Sequence, residues 1–407
     1  MNLLVVMRAT PTPTTGANMR NLALLRALSQ VSSVSLLIIA DDAARELQEA
    51  HAIHGMVTKL RVVSATRPNL KRFYQLAGVL LGRSSTVWRY TSSAARAALR
   101  EMLAADTYDA IYFEGIVVTG IAPQVGPRLI IDEHNLEWEL LERSAQQASS
   151  SLRRLHDQRE AAALRRVELA TLGRADLVIV TSERERVALE KLLPGRRVVV
   201  VTNGVDIARF APGSPQDELP GRVVFTGSMD YHPNEQAALF FAEQCWPVIH
   251  RARPDATWYV VGANPPASVW RLGELPGVTV TGSVPETRSY LAQAQVTIAP
   301  LLVGGGTRLK ILEALAIGKT MVSTSIGYEG LRLVPDEHLL VADGVEAFAQ
   351  AVIRALDDAA LRARLGAAGR EAVVSQYSWE QSGQTLQGAV ASLAQREMAP
   401  QRAVGDR

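Results

Sequence analysis

The sequence predicts an α/β protein made of two doubly wound, Rossmann-like domains that face a central cleft. The chain has 407 residues, more than one hydrophobic core usually serves, and 47% of them are hydrophobic. Two series of short apolar runs also alternate with amphipathic helical stretches. Strands that alternate with helices form parallel sheets with right-handed crossovers. Ligands bind such sheets at the carboxyl ends of the strands, so we expect the site in the cleft.

The first series predicts seven strands, with helices between them, for example at 19–29, 91–104 and 152–172. The strands are predicted at 3–7, 35–40, 60–63, 110–113, 129–132, 177–181 and 198–202. The second series predicts strands at 223–226, 257–261, 278–281, 296–299, 320–323 and 339–341. Each series is sufficient for one doubly wound domain.

The boundary between the domains is predicted at Asn203-Gly204, and a stretch rich in Pro and Gly follows at 212–220. Because Asn-Gly tolerates positive φ, we interpret it as a hinge. The predicted domains are 1–202 and 203–377, and the polar tail at 397–407 is expected to be flexible.

Cys245 is the only cysteine, which excludes an intramolecular disulfide and a cysteine metal cluster and fits a reducing cytosol. The first seven residues are interpreted as a strand rather than a signal peptide, because Arg8 and a Thr/Pro-rich loop follow at once. No apolar run reaches about 18 residues. We therefore expect a cytoplasmic protein, with peripheral contact to the inner face of the membrane as a further hypothesis.

The net charge of +2 is unevenly distributed. Residues 50–100 contain nine Lys or Arg and no Asp or Glu, and aromatic residues are interspersed. Such a surface fits anionic lipid headgroups, an anionic acceptor, or simply a solvated basic face. No nucleic-acid-binding module is recognisable, so nucleic acid is not the expected partner.

The most informative segment begins with Gly304-Gly305-Gly306-Thr307, between a predicted strand and a predicted helix. A strand, a glycine loop and a helix N-terminus form an anion site, because free backbone N–H groups and the positive end of the helix dipole face one point. Arg308 and Lys310 add two cations, and Glu313 follows in the helix, where a carboxylate accepts hydrogen bonds from sugar hydroxyls. The pattern indicates a nucleotide-sugar. The alternatives are that the glycines only connect two elements and that Lys310 pairs with Glu313 at i,i+3.

Five motifs in order give the chain a resemblance to the family 4 glycosyltransferases, which are retaining, nucleotide-sugar-dependent enzymes of the GT-B fold. The motifs are Pro13-Thr14-Thr15-Gly16, Asp132-Glu133-His134-Asn135, Asn203-Gly204-Val205-Asp206, the segment from Gly304 to Glu313, and Tyr377-Ser378-Trp379. The resemblance implies that the last helix, at about 378–396, crosses back and completes the N-terminal domain.

The resemblance also implies roles for single residues. Glu313 would hold the nucleotide ribose, Arg308 and Lys310 would bind the diphosphate, and His134 would hydrogen-bond the donor sugar. His134, Arg308 and Glu313 form the implied catalytic set. The implied donor-binding residues also include Gly16, Gly227, Val284, Gly305, Gly306, Thr307, Leu309 and Lys310. Contacts to the acceptor or sugar are expected from Asp132, Asn135, Asp230 and Asn234.

Two departures from the family pattern concern the donor site. The first glutamate of the family's pair would fall at Gly305, so sugar identity is less predictable here. The usual Arg and Lys of the second domain are replaced by the segment from Gly227 to Asn234, and Arg308 with Lys310 are the expected substitutes.

The predicted chemistry is sugar transfer with retention from a nucleotide-diphosphate sugar to a glycan or lipid-linked acceptor. No Asp-x-Asp motif occurs, so no metal or other cofactor is expected. Paired carboxylates of a hydrolase are not indicated, because Asp132 and Glu133 are neighbours whose side chains point to opposite sides of a strand. A nucleotide-sugar 2-epimerase and a catalytically silent binding protein remain alternatives, and the donor base, sugar and acceptor are left open.

Overall fold

The computed structural model describes residues 1–13, 16–65, 70–146, 150–214, 217–303 and 308–395, so the tail at 397–407 lies outside the described residues. The chain divides into two compact units. The N-terminal unit is Met1–Thr202 with the chain from Ser382 onward, and the C-terminal unit is Asn203–Gln381. The divisions fall between Thr202 and Asn203 and inside the last helix, Trp379–Gln395.

The N-terminal unit is built on one parallel sheet. Its strands are β1 Asn2–Met7, β2 Ser33–Ala40, β3 Lys59–Ser64, β4 Ala110–Glu114, β5 Arg128–Asp132, β6 Leu177–Val180 and β7 Val198–Val200. Its helices are α1 Gly16–Val31, α2 Ala43–Glu49, α3 Lys71–Leu81, α4 Ser85–Arg89, α5 Ser93–Ala105, α6 Glu137–Gln146, α7 Ser151–Leu172 and α8 Glu183–Leu192. In the described residues the strand order is β3-β2-β1-β4-β5-β6-β7.

The C-terminal unit repeats this plan. Its strands are β8 Arg222–Thr226, β9 Thr257–Val261, β10 Val278–Gly282, β11 Val296–Ala299, β12 Thr320–Ser323 and β13 Leu340–Val341, in the order β10-β9-β8-β11-β12-β13. Its helices are α9 His232–Phe240, α10 Trp246–Ala252, α11 Ala267–Trp270, α12 Arg288–Gln293, α13 Leu309–Ile317, α14 Val345–Asp357 and α15 Ala359–Gln376, and the helix Trp379–Gln395 is α16.

Alternate residues of each central strand supply two different cores. In β1, Leu3 and Val5 pack in one cluster and Leu4 and Val6 in another. Both faces of the sheet are therefore covered, which explains why its strands are nearly continuous apolar runs. Each strand predicted from the sequence is present, which confirms the prediction of two doubly wound parallel sheets.

In the part of the chain that the structure describes, no helix combines the length and the apolar character needed to cross a membrane.

Gly204 differs from the expectation of a hinge with positive φ, because it is not among the glycines with positive φ. A Cβ atom on Gly204 would lie 2.6 Å from the backbone nitrogen of Trp379. The neighbouring Val205 donates its backbone N–H to the carbonyl of Tyr377 at 2.7 Å. Glycine is needed here for close packing of two backbone segments rather than for a left-handed conformation.

Gly262 lies where β9 leaves the sheet beside Gly227. Its φ is +154°, and a Cβ atom would lie 1.7 Å from the Gly227 carbonyl oxygen. Neither backbone moves without disturbing the ladder between β8 and β9, which pairs Thr226 with Val261. The close approach fixes the loop that follows β8.

Gly262→Ala is expected to destabilise the C-terminal unit by about 1–3 kcal/mol or more, because the new methyl group overlaps a backbone carbonyl. Denaturant unfolding of the full chain measures the effect. Gly273→Ala is the matched control, since its Cβ meets only Val280 Cγ2 at 3.9 Å. Equal stabilities of the two variants would contradict this account of Gly262.

Buried carboxylates lie where β5 ends. Glu133 is 1% exposed, and among the described residues neither of its carboxylate oxygens has a hydrogen-bond partner. Burial raises the pKa of Glu133 well above its ordinary value, and the carboxylates of Glu168, Glu137, Asp132 and Glu185 raise it further. The pKa of Glu168 is also raised, by burial and by Glu137. The folded state therefore favours the protonated acids.

Glu133→Gln is expected to reduce the loss of stability that accompanies rising pH. The unfolded chain releases the Glu133 proton near its ordinary pKa of about 4.3, whereas the folded state retains the proton to higher pH. The unfolding free energy of the wild type therefore falls as pH rises through the folded pKa. Unfolding measured between about pH 5 and about pH 8 gives the slope. Glu101→Gln is the control, because Glu101 is an exposed partner of Arg61. Parallel pH profiles for wild type and Glu133→Gln would contradict the prediction.

Candidate functional site

The strand order of the C-terminal sheet reverses between β8 and β11. Chain segments that follow two such strands diverge, and the crevice at their carboxyl ends is where doubly wound sheets bind ligands. The loop after β8 carries Gly227 and Asp230 and leads to Asn234 in the first turn of α9, and the chain after β11 leads to α13. The expected donor residues of both loops therefore lie at the position in the sheet where a site is expected.

Lys310 connects these two segments. Its Nζ donates to Asn234 Oδ1 at 2.7 Å and lies 4.1 Å from the centre of the Phe225 ring. The Lys310 side chain thus binds Asn234, which argues against the alternative that Lys310 simply pairs with Glu313. Burial and the nearby Arg308 lower the pKa of Lys310 to about 7, although Glu313 acts in the opposite direction.

Glu313 lies further along α13 and is partly buried. Burial raises the pKa of its carboxyl to about 7, although Arg209 and Lys310 lower it. Arg209 was not identified from the sequence as a site residue. Its charge reaches Glu313 because the fold brings the segment before β8 next to α13.

Arg308 directly precedes α13 and is 8% exposed. Its guanidinium donates to the Ile326 carbonyl oxygen at 3.4 Å, so it is packed against the segment that follows β12. Among the described residues no side chain caps the N-terminus of α13. The Ile311 N–H donates to the Arg308 carbonyl oxygen at 3.0 Å, so an anion at this helix start would meet the N–H groups of Leu309 and Lys310. Gly305, Gly306 and Thr307 lie outside the described residues.

The loop after β8 is held by its own polar side chains. Asn234 Nδ2 donates to the Ser228 carbonyl oxygen at 2.8 Å, and Asp230 accepts from Ser228 Oγ at 2.6 Å and from Asn264 Nδ2 at 3.1 Å. A Cβ atom on Gly227 would lie 3.0 Å from Lys310 Nζ. The loop is thus shaped to receive the lysine. Asn234 is mainly a partner of Lys310, whereas Asp230 remains exposed.

Val284, which the family resemblance implies is a donor-binding residue, follows β10. Its side chain is partly buried against the same hydrophobic cluster that includes Ile311 and Leu312 of α13. Leu309 also packs against this cluster. The cluster therefore fixes both segments of the expected donor site.

In the N-terminal unit the strand order reverses between β1 and β4, and a salt bridge spans that point. Arg8 follows β1 and Glu114 ends β4, and their side chains lie 3.3 Å apart. Burial opposes the charge of Glu114, but Arg8 and His134 lower its pKa below the ordinary value. Neither Arg8 nor Glu114 was identified from the sequence, although both stand at strand ends.

His134 lies beside this salt bridge and is 12% exposed. Its Nε2 is 3.4 Å from Asp132 Oδ2 and its Nδ1 is 3.8 Å from Glu114 Oε1. The imidazole therefore lies between the carboxylates of Asp132 and Glu114. Thr181 Oγ1 donates to the His134 carbonyl oxygen at 3.4 Å.

Asp132 differs from the expectation that it contacts a sugar. It is fully buried, and its carboxylate accepts from Arg20 Nη2 at 2.5 Å and from Tyr112 Oη at 2.8 Å. Although burial would raise it, Arg20 and His134 hold the pKa of Asp132 far below the ordinary value. In this conformation Asp132 holds Arg20 and orients His134. Arg20, at 1% exposure, was also missed from the sequence.

Asn135 and Gly16 lie at helix starts of the same unit. Asn135 is partly buried just before α6. Burial raises the pKa of Glu137, and a hydrogen bond from the Asn135 side chain acts in the opposite direction. Gly16 is exposed and is the first residue of α1, which also carries Arg20. Thr14 and Thr15 of the expected glycine loop lie outside the described residues.

The basic segment at 50–100 is less positive than its sequence indicates. Three of its cations are paired with carboxylates: Lys59 with Asp106 at 2.5 Å, Arg61 with Glu101 at 3.3 Å and Arg89 with Asp41 at 2.6 Å. In contrast, Arg83, Arg96 and Arg100 have no ion pair with any described residue.

Comparison with known proteins places the chain among glycosyltransferases. A curated relative, the GDP-mannose-dependent monoacylated alpha-(1-6)-phosphatidylinositol monomannoside mannosyltransferase of Corynebacterium glutamicum, is 29% identical over 206 residues. That stretch is 45% of this chain and only 53% of the relative, so the match spans about half of each protein.

Solved structures match over nearly the whole chain. Sucrose-phosphate synthase from Thermosynechococcus elongatus is 19% identical, with a TM-score of 0.72 over 97% of this chain and 100% of that one. HepE from Anabaena, in complex with UDP and glucose, is 16% identical, with a TM-score of 0.65 over 96% and 99%. At these identities the likeness establishes the fold, which is GT-B.

Two sequence models of families match the chain one after the other. The model described as Glycosyltransferase Family 4 matches residues 15–209, and the model described as Glycosyl transferases group 1 matches residues 220–358. Together they span most of the chain and both units. The chain therefore belongs to the family 4 glycosyltransferases.

Proposed function

We propose that this protein is a retaining glycosyltransferase that moves a sugar from a nucleotide-diphosphate sugar to a glycan or lipid-linked acceptor, in assembly of a surface polysaccharide or glycolipid. The observation that carries the proposal is the uncapped start of α13, with Lys310 and Glu313 on that helix, at the point where the C-terminal sheet changes strand order. A helix N-terminus and a cation suit a diphosphate, and a carboxylate further along suits a ribose.

The donor diphosphate is proposed to bind the N-terminus of α13, and Lys310 neutralises part of its charge. Arg308, buried beside it, keeps the local potential positive, as its lowering of the Lys310 pKa indicates. Glu313 accepts hydrogen bonds from the ribose hydroxyls. UDP and GDP are the first nucleoside diphosphates to test, because HepE is seen with UDP and the Corynebacterium glutamicum relative is named for GDP-mannose.

The chemical step is proposed to be attack on the face that the leaving group occupies. The bond between the anomeric carbon and the phosphate oxygen breaks, the acceptor hydroxyl oxygen forms the new bond on the same face, and its proton passes to the leaving phosphate. Positive charge at the helix start stabilises the developing negative charge. This scheme requires no protein nucleophile and no metal ion.

His134 is proposed to hydrogen-bond the transferred sugar. Asp132 and Glu114 act through it as positioning residues, because their carboxylates lie on either side of the imidazole. The buried Arg20 keeps Asp132 charged. The two carboxylates that orient the imidazole are therefore themselves held in place, Asp132 by Arg20 and Glu114 by Arg8.

A 2-epimerase of the same architecture has less support, because the matching family models and the curated relative are those of glycosyltransferases. A silent binding protein is also less supported, because the matching family models and the curated relative are those of active transferases by description. Release of nucleoside diphosphate distinguishes the glycosyltransferase from both alternatives, because neither of them produces it in net turnover.

Glu313→Ala is expected to weaken nucleotide-diphosphate binding roughly tenfold to hundredfold, the value of losing charge-assisted hydrogen bonds. His134→Ala is expected to retain nucleotide binding and to lower sugar transfer roughly hundredfold or more. Calorimetry with UDP, GDP, ADP and TDP measures the first, and nucleoside-diphosphate release with a lipid extract as acceptor measures the second. Glu371→Ala, an exposed change on α15, is the control.

The donor-site proposal fails if no nucleoside diphosphate binds the wild type or if Glu313→Ala binds as tightly as the wild type does. Consumption of a nucleotide-sugar without release of nucleoside diphosphate would favour the epimerase instead.

Nucleotide affinity of the wild type is expected to fall as pH rises above about 7, because Lys310, with a pKa of about 7, loses the charge that the diphosphate needs. Lys310→Arg keeps that charge and should remove the alkaline loss. Glu313 titrates in the same range in the opposite sense, so the difference between the two proteins isolates Lys310. Lys319→Arg is the control, and identical pH profiles for wild type and Lys310→Arg would contradict the role of Lys310.

A further inference from the structure

We infer that a basic pocket between α3 and α7 of the N-terminal unit binds the phosphate group of a membrane lipid. The pocket is a cavity of about 220 Å³ lined by Arg83, Arg159, Arg166, Glu160, Gly78 and Gly82, among others. About 10–15 Å³ of cavity suffices for one water molecule, so a phosphate group fits. This inference does not depend on sugar transfer, because the pocket is built entirely from residues that precede β6.

Three guanidinium groups line the pocket without a carboxylate partner. Among the described residues, Arg83, Arg159 and Arg166 form no ion pair, unlike Lys59, Arg61 and Arg89 of the neighbouring basic segment. Three like charges on one cavity repel each other unless an anion joins them. The planar fork of donors on arginine matches a phosphate group in two-point hydrogen bonds.

Hydrogen bonds and ring contacts position two of the three arginines. Arg166 Nη2 donates to the Gly82 carbonyl oxygen at 2.8 Å, and the Arg83 guanidinium lies over the Trp88 ring, 5.5 Å from its centre. Gly82 ends α3 in the left-handed conformation, with φ of +61°. The chain reversal at Gly82 therefore brings Arg83 to the same cavity as the arginines of α7.

Glu160 is the one acidic residue on the pocket wall within the described residues, and its carboxylate is held by hydrogen bonds from neutral donors. Its carboxylate accepts from Ser84 Oγ at 2.8 Å, from the Ser85 backbone N–H at 3.0 Å and from the Thr86 backbone N–H at 3.1 Å. These donors form the N-terminus of α4. Glu160 therefore fixes the loop that carries Arg83, and the pocket lining carries three guanidinium groups against this one carboxylate.

The surroundings of the pocket are apolar and exposed, which indicates a lipid rather than a free phosphate. Residues 152, 155, 159, 162 and 166 share one face of α7 by their spacing of three and four. Leu152 is 81% exposed and Leu155 is 47% exposed, so this face begins apolar and continues to Arg159. On α3, which supplies Gly78 to the pocket lining, Phe73 is 57% exposed and Leu81 is 62% exposed. Exposed apolar side chains around cations are typical of surfaces that bind lipid headgroups.

The test is co-sedimentation of the full chain with two sets of phosphatidylcholine vesicles that carry equal negative charge. One set contains phosphatidic acid and the other contains oleic acid, so only the first adds an anionic phosphate. We compare the double variant Arg83→Gln/Arg159→Gln with Arg96→Gln/Arg100→Gln, which removes two unpaired charges from α5 and leaves the pocket intact. Inorganic phosphate alone, measured by calorimetry, is the soluble arm.

The expected result is that the wild type binds phosphatidic acid vesicles more tightly than oleic acid vesicles. The pocket variant should lose roughly tenfold or more of that binding, and the control variant should lose clearly less.

Equal losses in both variants, or equal binding to both vesicle types, would show diffuse charge attraction and overturn the inference. Binding of inorganic phosphate without vesicle binding would overturn the assignment to a lipid. Nucleotide binding by the pocket variant should equal that of the wild type, which shows that it is folded and separates failure here from failure of the donor-site proposal.

Discussion

The constraint on which the whole structure depends is that both sheets are parallel and buried on both faces. Parallel strands need crossover helices, and these helices cover the two faces with apolar side chains. Several buried polar side chains therefore lie where strands end, as Glu114 does in β4, Asp132 in β5 and Thr181 just after β6. In each unit the chemistry-bearing residues lie at the point where strand order reverses: Arg8 and Glu114 in one, Lys310 and Asn234 in the other.

The N-terminal unit shows how a buried charge is kept. Asp132 is accommodated at the end of β5 because Arg20 and Tyr112 both donate to it, and Arg20 in turn donates to the Val201 carbonyl oxygen at 2.7 Å. Removing one partner of such a buried pair costs about 3–5 kcal/mol. The next residue, Glu133, has no such donors and instead favours its protonated form. The adjacent carboxyl groups of Asp132 and Glu133 thus differ in charge. The charged one, Asp132, is the one that lies beside His134.

The C-terminal unit shows the opposite arrangement, in which charge is incompletely satisfied. Burial brings the pKa values of both Lys310 and Glu313 to about 7, so neither group is firmly charged without a ligand. A diphosphate would favour the charged lysine, and ribose hydroxyls would favour the carboxylate. Perturbed pKa values of this kind are more typical of a binding site than of a structural ion pair.

The sequence by itself determined the strands, the helices between them, and the order of the motifs, because these follow from apolar periodicity and from local glycine and proline chemistry. Family membership followed from the same motifs. Only the tertiary structure decided which charges are compensated. Asp41, Glu101 and Asp106 lie outside the basic segment in sequence but pair with its cations in space, and Arg20 reaches Asp132 across 112 residues. Charge pairing depends on distances through space that no local pattern records, so the sequence overstated the basic surface and missed the network that holds His134.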